Sequence, residues 1–577
     1  MKLKVHIFIL SHALLALLAM LLYAQTTTLS ITVIVIHPLV VCAIYTTLLY
    51  CIPRKFRILS VSILTTLLIL LYLSNIVAAH YWNGVITWSF LRSNLSVIIA
   101  ELQKFPIYVF LIFFGGVMLL VKIYRKSLSF QENFRQHFGV LLLTPILVSA
   151  FYYSIYEMQE DMSATLQGEP LFEFLNVKQR GATTEQNIII PKLTLEQTAK
   201  LGVKKQPNII LIHGDALRAD RLGAYGNPRK TTPFIDNLIY TSAALKISNG
   251  LSNCSETICG VASVTASNFS YVGNVENIFT TLRENGYVNN FIGTGDLYHG
   301  GLDKYLSPIT DNFIRADLND GYYKHDDKFV LDTLELYPRS SERPQLFYLR
   351  MMSSHQLGSH QQKYKQYQPL PNSLFSMPLL GGNSFKTQVN AHDNFAIQFD
   401  AYVNNIFSIM SEKGYLDNAI VVIFGDHGDA MGERGYNGHY QNLYQEEIKV
   451  PIVIWTSNNI DIGIKNIAFA TLMDIPATLL HYLDIPIPKN FLGSPLQIEQ
   501  REKIAYLDSK RDTVGLLYQR AGHLYKLLLS KNEQNDSHLF ELTSDPKEHI
   551  DIYEQDKEFT ARLINTYNKF TGRKFSN

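Results

Sequence analysis

Charge of one sign is what this sequence lacks most plainly. Its 51 lysines and arginines stand against 50 aspartates and glutamates in 577 residues, a formal net charge of +1. Without a basic excess there is no electrostatic footprint for a polyanion, so nucleic acid is not expected as a partner. Cysteine is scarce too, with four in all. Cys42 and Cys51 fall in the apolar N-terminal part, which leaves Cys254 and Cys259 as the only pair in the rest. In a compartment that permits oxidation, a pair five residues apart reads as a small disulfide loop; the other reading is two buried thiols. No internal repeat and no low-complexity tract is present, so nothing points to a repeat architecture.

Long hydrophobic runs are abundant, but only at one end. The mean hydropathy of +0.03 averages two unlike parts. Up to about Tyr156 the chain is strongly apolar, and five runs have roughly spanning length: Val5–Ala24, Leu29–Tyr50, Ile58–Ala79, Pro106–Val121 and Gly139–Tyr156. They predict a five-helix transmembrane domain over residues 1–156, a juxtamembrane linker over 157–206 and a soluble domain over 207–577. Lys2 and Lys4, then Arg54, Lys55 and Arg57, then Lys122, Arg125, Lys126 and Arg135 mark the cytoplasmic connections. With five spans the N-terminus is cytoplasmic and the soluble domain lies on the far side. The acidic run Glu157-Met-Gln-Glu-Asp161 agrees with that, and Trp82 and Trp88 fit as interface anchors.

The soluble part alternates apolar runs with helical stretches. Asn208–Gly214, Gln345–Met352, Ala419–Phe424, Val450–Thr456 and Lys503–Leu507 read as strands; Asn394–Met410 and Thr471–Leu483 read as helices. That alternation predicts an α/β sandwich on a largely parallel central sheet. Thr294–Tyr323 and Gln361–Lys386 read as loops able to set the choice of acceptor.

Two of the strands end in a carboxylate. Val421-Val-Ile-Phe-Gly425 runs into Asp426-His427, and Asn208–Gly214 runs into Asp215. Open α/β sheets keep their sites beyond such strand ends. A hard oxygen ligand beside an imidazole nitrogen suits a divalent ion such as zinc; the alternative is a helix N-cap aspartate with an incidental histidine. By the same reading His213 and His355 are structural, Asp429, Glu433 and Arg434 are solvated turn residues, and Arg218 and Asp220 brace the first helix.

These motifs carry a resemblance. Asp215-Ala-Leu-Arg-Ala-Asp-Arg-Leu-Gly-Ala-Tyr-Gly-Asn227 and Thr232-Pro-Phe-Ile-Asp-Asn-Leu238 resemble the opening of the sulfatase branch of the alkaline phosphatase superfamily. Gly425-Asp-His-Gly428 with Gly438-His439, Leu472–Leu480 and Leu539–Glu548 are similar to its later signatures, in the same order. The sulfatase nucleophile motif C-x-P-S-R is absent, because no Pro or Arg follows Cys254 at the required offsets. Counting back from the small-residue helix Ala262-Ser-Val-Thr-Ala266 puts Thr257 at the nucleophile position, with Ser255 and Cys254 as alternatives and an ordinary helix cap as the bland reading of Thr257.

A threonine there resembles the membrane phosphoethanolamine transferases that modify lipopolysaccharide, as does His355-Gln-Leu-Gly-Ser-His360 with Tyr364 and Tyr367. The resemblance implies metal ligands Asp215, Thr257, Asp426 and His427, zinc as the metal, and catalytic roles for Thr257, His360 and His439. It implies transfer of phosphoethanolamine from phosphatidylethanolamine to lipopolysaccharide or another envelope glycolipid, through a phosphothreonine-type intermediate, at the periplasmic face of a cell inner membrane. Asp215, where those transferases usually carry Glu, and the sulfatase-like Leu539–Glu548 leave open a membrane-anchored hydrolase or phosphodiesterase; phosphoglycerol transfer is a close variant. A metal-free lipid sensor or scaffold is the reading from another class.

Overall fold

The computed structural model describes residues 206–572 and 575, apart from 271–275, 298–300, 319–323, 342, 372–384, 441, 459, 466–467, 510–512 and 532–536, with scattered positions between 53 and 118. The predicted spans and linker therefore lie outside the described residues, save for those scattered positions. Among the described residues no helix is long and apolar enough to cross a membrane. The central sheet belongs to the second of two compact units, Thr184–Asn577.

Its centre is a seven-stranded sheet: β1 (Asn208–Gly214), β2 (Ala244–Lys246), β3 (Val288–Gly293), β4 (Asn312–Arg315), β5 (Gln345–Met351), β6 (Ala419–Gly425) and β7 (Ile452–Thr456), in the spatial order β2-β7-β6-β1-β5-β3-β4. The run β6-β1-β5-β3-β4 is parallel, and β7 is antiparallel to both its neighbours. Side chains alternate between two cores, as the period of a strand requires. Ile209, Leu211, Tyr348, Val422 and Phe424 face one side, with Val261 and Val264 of α2 (Thr257–Ala266) and Leu479 and Leu480 of α4 (Asp474–Tyr482). Ile210, Ile212, Phe347, Val421 and Ile423 face the other, with Phe399, Tyr402, Val403 and Ile406 of the long α3 (Phe385–Glu412). Each such side chain, fully buried, contributes about 1.5–3 kcal/mol. Helices on both faces give three layers.

A second, antiparallel sheet follows: β8 (Glu502–Asp508), β9 (Thr513–Arg520), β10 (His523–Ser530) and β11 (His538–Glu541). The β9–β10 hairpin turns through Ala521 and Gly522, both at positive φ (50° and 86°), the backbone of a tight primed turn. Helix α5 (Lys557–Thr571) covers one face through Leu563, Ile564 and Tyr567.

Three expectations are corrected here. Lys503–Leu507 is a strand, but it belongs to the second sheet and not to the central one. Thr294–Tyr323 is not a loop, since it contains a helix at Leu302–Ile309 and the edge strand β4. The segment after β1 is not a helix: it passes through Ala216 at φ 57° into two short 3-10 turns, Ala219–Arg221 and Gly223–Tyr225. Arg218 and Asp220, expected to brace that helix, pair with each other at 2.9 Å.

Candidate active site

The parallel register sets the site. Gly214 of β1 lies opposite Gly425 of β6, so Asp215 and Asp426 leave their strands at the same level of the sheet edge. Both are buried, at 2% and 0% exposure. The Asp426 Oδ1 accepts the backbone N–H groups of Ala216 at 3.0 Å and His427 at 2.9 Å. The left-handed conformation of Ala216 therefore has a use, since it turns that N–H onto the carboxylate. Asp215 Oδ1 is buried with no hydrogen-bond partner among the described residues, and Asp426 Oδ2, also buried, has only the ring nitrogen of His213 near it, at 3.1 Å and out of line for a hydrogen bond. Two buried carboxylate oxygens so poorly supplied with donors are stable only when a cation or a proton faces them.

Imidazoles supply the nitrogen donors. His427 Nε2 is 3.8 Å from Asp215 Oδ1 and 3.6 Å from Asp426 Oδ2. Its Nδ1 lies 2.7 Å from the Gly428 carbonyl oxygen, which only accepts, so Nδ1 carries the proton and Nε2 turns its lone pair inward. Burial opposes protonation of His427, but the carboxylates of Asp426 and Asp215 outweigh it and raise its pKa. Burial likewise works against ionising Asp426, yet His427, His213 and the backbone N–H groups hold it well below the usual carboxylate range. His213, read from sequence as structural, places Nε2 3.1 Å from Asp426 Oδ2, and His213, Asp215 and Asp426 bring ligand atoms within 4.8 Å of one another. Its other nitrogen lies 3.1 Å from the Tyr348 hydroxyl, and its ring stacks on Phe424.

Thr257 is the first residue of α2, and Glu256 is the N-cap. Its Oγ1 lies 3.1 Å from His427 Nε2. At that end of a helix the free N–H groups and the macrodipole favour an anion. Cys254 and Cys259 are joined by a disulfide, with Cα atoms 6.2 Å apart, and so bracket Thr257. The bond removes Cys254 as a thiol nucleophile. Ser255 Oγ is buried without a hydrogen-bond partner among the described residues.

Two carboxylates and one or two imidazoles around a hydroxyl, with orphaned oxygens among them, fit a divalent cation of the zinc type. Asp215, Asp426, His427 and Thr257, the ligands expected from the sequence, stand together here, and His213 joins them.

The remaining histidines divide. His439 Nδ1 is 2.9 Å from Asp429 Oδ1, and its ring lies tilted against that of His427 with centroids 4.4 Å apart. His392 Nε2 lies 3.3 Å from the other Asp429 oxygen. Asp429 is thus no solvated turn residue: it is 3% exposed and holds two imidazoles. Despite its burial, hydrogen bonds from His392 and His439 keep it well below the ordinary carboxylate range. Glu433 and Arg434, also expected to be solvated, pair with Arg218 at 2.9 Å and Glu446 at 2.5 Å. His360 stacks on Phe395 and lies 3.2 Å from the Ser353 carbonyl; its contacts are not with the carboxylate cluster. Burial pushes it down to about 3, so it is neutral at ordinary pH. His355, set aside as structural, lies nearer: its ring is 5.6 Å from that of His439, and burial pushes it down to about 4 against the pull of Asp215.

Residues 207–485 match the sulfatase family model, and they form a sulfatase-family domain. The phosphatidylethanolamine transferase Mcr-2 of Escherichia coli is 23% identical over 382 residues, 61% of this chain and 68% of that protein. A Kdo(2)-lipid A phosphoethanolamine 7''-transferase of Salmonella typhimurium is 25% identical over 267 residues, 43% of this chain and 44% of that protein. An arylsulfatase of Clostridium perfringens is 25% identical over 198 residues, 32% of this chain and 40% of that protein.

Proposed function

We propose that this sulfatase-family protein is a phosphoethanolamine transferase acting from a membrane on envelope lipids. The observation that carries the reading is the Thr257 hydroxyl, set at a helix N-terminus and 3.1 Å from His427 Nε2, beside two buried carboxylates with unpartnered oxygens. Relatives named for transfer of phosphatidylethanolamine or phosphoethanolamine support the substrate class. The donor is phosphatidylethanolamine and the acceptor a sugar hydroxyl or phosphate of a surface glycolipid such as lipopolysaccharide. A cleavable lipid donor accounts for the five apolar N-terminal runs, and a disulfide accords with a domain in an oxidising compartment such as the periplasm.

In the first half-reaction the Thr257 Oγ forms a bond to the donor phosphorus while the bond from phosphorus to the diacylglycerol oxygen breaks. His427 Nε2 lies 3.1 Å from the Thr257 hydroxyl, so the lone pair it offers a cation and the hydroxyl oxygen meet at the same point. Asp215, Asp426, His427 and Thr257 would hold a divalent cation, zinc by their donor chemistry, and such a cation would lower the hydroxyl pKa and neutralise charge on the phosphoryl group. The Thr257 proton passes to His439 Nε2, free because Nδ1 is tied to Asp429, and from there to the departing diacylglycerol oxygen. In the second half-reaction the acceptor oxygen attacks the same phosphorus while the bond from phosphorus to the Thr257 oxygen breaks, and the acceptor's proton returns to Thr257 by way of His439 Nε2. The α2 N-terminus favours the phosphorylated threonine.

The test is mass spectrometry of extracted glycolipid from cells carrying the wild-type chain or Thr257→Ala. Phosphoethanolamine adducts are expected with the first and not with the second. Unchanged lipid masses with both proteins expressed would sink the proposal. The arylsulfatase relative favours a second reading in which water is the acceptor. Turnover of p-nitrophenyl sulfate or a phosphodiester analogue, without transfer to glycolipid, would establish it instead.

A further inference from the structure

Arg350 is the last but one residue of β5 and is buried, at 4% exposure, in a strand whose other residues are apolar, aromatic or amide. No motif singles it out, and neither half-reaction above uses it. Its guanidinium donates through Nη2 to Asp215 Oδ2 and through Nη1 to the carbonyl oxygen of Thr294, both at 2.5 Å. Asp215 Oδ2 is therefore occupied from behind, and Oδ1 is the oxygen left without a partner. Space for the fork is provided by Gly295, at φ +98°. A Cβ there would fall 1.9 Å from Arg350 Nη1. The acceptor is itself fixed. The Thr294 hydroxyl donates to Asp327, whose carboxylate also accepts the backbone N–H groups of Met352 at 2.8 Å and Ser353 at 2.6 Å. Asp215 is thus tied through Arg350 and Thr294 to Asp327, with each member buried.

We infer that Arg350 is a positioning residue of the metal site: it locks the Asp215 carboxylate so that a single oxygen, Oδ1, is presented to the cation. A carboxylate free to rotate would offer either oxygen, or both, and would lose its fixed angle to Asp426 and His427. Partners that orient a ligand from behind commonly contribute 10- to 100-fold in metal affinity. Arg350 is also cationic, and charge alone would act the opposite way, repelling the metal. The sign of the effect therefore separates orientation from electrostatics. This inference rests on the proposed divalent site.

The experiment uses the full-length protein in detergent, as wild type, Arg350→Gln, Arg350→Lys and, as a ligand control, Asp215→Asn. Zinc affinity is read by competition with a chromogenic chelator, thermal unfolding is followed with and without zinc, and kcat and KM for phosphoethanolamine transfer are measured. We expect zinc affinity to fall about 10- to 100-fold in Arg350→Gln and by less in Arg350→Lys. kcat should fall while KM for the lipid donor stays within about twofold, and excess zinc should return activity in Arg350→Lys. Arg350→Lys keeps the buried charge paired, so it reports even if Arg350→Gln does not fold. Equal or tighter zinc binding in the folded variants overturns the inference while leaving the metal site standing. Absence of zinc binding in wild type, matching Asp215→Asn, overturns the metal reading itself.

Discussion

Gly260 lies against Asp426 so closely that a methyl group on it would sit 2.7 Å from the Asp426 carbonyl oxygen and 2.8 Å from its Cβ. Gly260 is one turn into α2, and Thr257 begins that helix. The distance between Thr257, the proposed nucleophile, and the Asp426 carboxylate is therefore set by the lack of a side chain at position 260. Gly260→Ala must push the helix away or distort the strand end, a strain of about 1–3 kcal/mol. The expected outcome is a loss of at least tenfold in kcat with the protein still folded, because a shift of about 1 Å costs on the order of 100-fold where reacting groups must meet. Steady-state kinetics beside a thermal melt would check it; a variant with full activity would show that α2 is not held at this contact.

Asp429 holds two imidazoles and is not in the proposed ligand set. Asp429→Asn keeps the shape but removes the charge that fixes the Nδ1–H tautomer of His439. Positioned general acids contribute about 100- to 10,000-fold, so a fall in kcat of about 100-fold is expected, with zinc content unchanged. Metal analysis of the same preparation separates this from ligand loss. A variant that also arrives without zinc would mean that Asp429 helps hold the metal.

Asp400, on α3, accepts the backbone N–H groups of Phe234 at 2.9 Å and Ile235 at 2.8 Å, and so caps α1 (Pro233–Tyr240) from another helix. Burial pushes its carboxyl up to about 7, against those hydrogen bonds. The native state thus keeps a proton that the unfolded chain releases near pH 4. From about pH 4 to about pH 7 this group makes stability fall as pH rises, by at most about 1.4 kcal/mol per pH unit, and above pH 7 its contribution is level. Asp400→Asn cannot titrate. Its stability relative to wild type should improve steadily between pH 4 and pH 7, as read by urea unfolding at several pH values. A constant difference between the two proteins would refute the raised pKa.

Much of this site was legible because its strands are plain. Asn208–Gly214 and Ala419–Gly425 are apolar runs that stop at a carboxylate, and parallel pairing does the rest. β3 was not legible. Its Val-Asn-Asn-Phe-Ile-Gly carries two asparagines where a buried strand should be apolar, yet the amide N–H groups of both are bonded internally: Asn289 Nδ2 donates to the Phe279 carbonyl at 2.7 Å, and Asn290 donates to Gln345 at 3.0 Å and accepts from Tyr337 at 2.6 Å. Polar groups paired across a sheet erase the pattern that reveals a strand. His213 and Asp429 were missed for another reason. Each was judged by its neighbours in sequence, whereas His213 meets Asp426, 213 positions on, and Asp429 meets His392, on α3. Arg350 gave no signal, because one cation in a strand reads as an edge residue until its partner is placed.

The loop that carries Asp426, His427, Asp429 and His439 is anchored from the second sheet. Lys526 of β10 and Glu548 form an ion pair in which both side chains are fully buried. Lys526 Nζ also donates to the Leu443 carbonyl at 2.6 Å, and Glu548 Oε2 accepts the Gln445 N–H at 2.9 Å. Arg434, in the loop itself, reaches the Lys547 carbonyl at 2.8 Å. Burial lowers the Lys526 pKa and raises that of Glu548, and each supplies the charge that keeps the other ionised. Removing one partner strands the other as an uncompensated buried charge, at a cost of about 3–5 kcal/mol. Lys526→Met should therefore lower the urea midpoint steeply and, through Leu443 and Gln445, reduce transfer activity before the protein unfolds. Lys526→Met combined with Glu548→Leu leaves no lone charge and should recover most of the stability but not the activity, since the backbone groups of Leu443 and Gln445 lose their tethers. Equal destabilisation in the single and double variants would show that the pair does not couple the sheet to the loop.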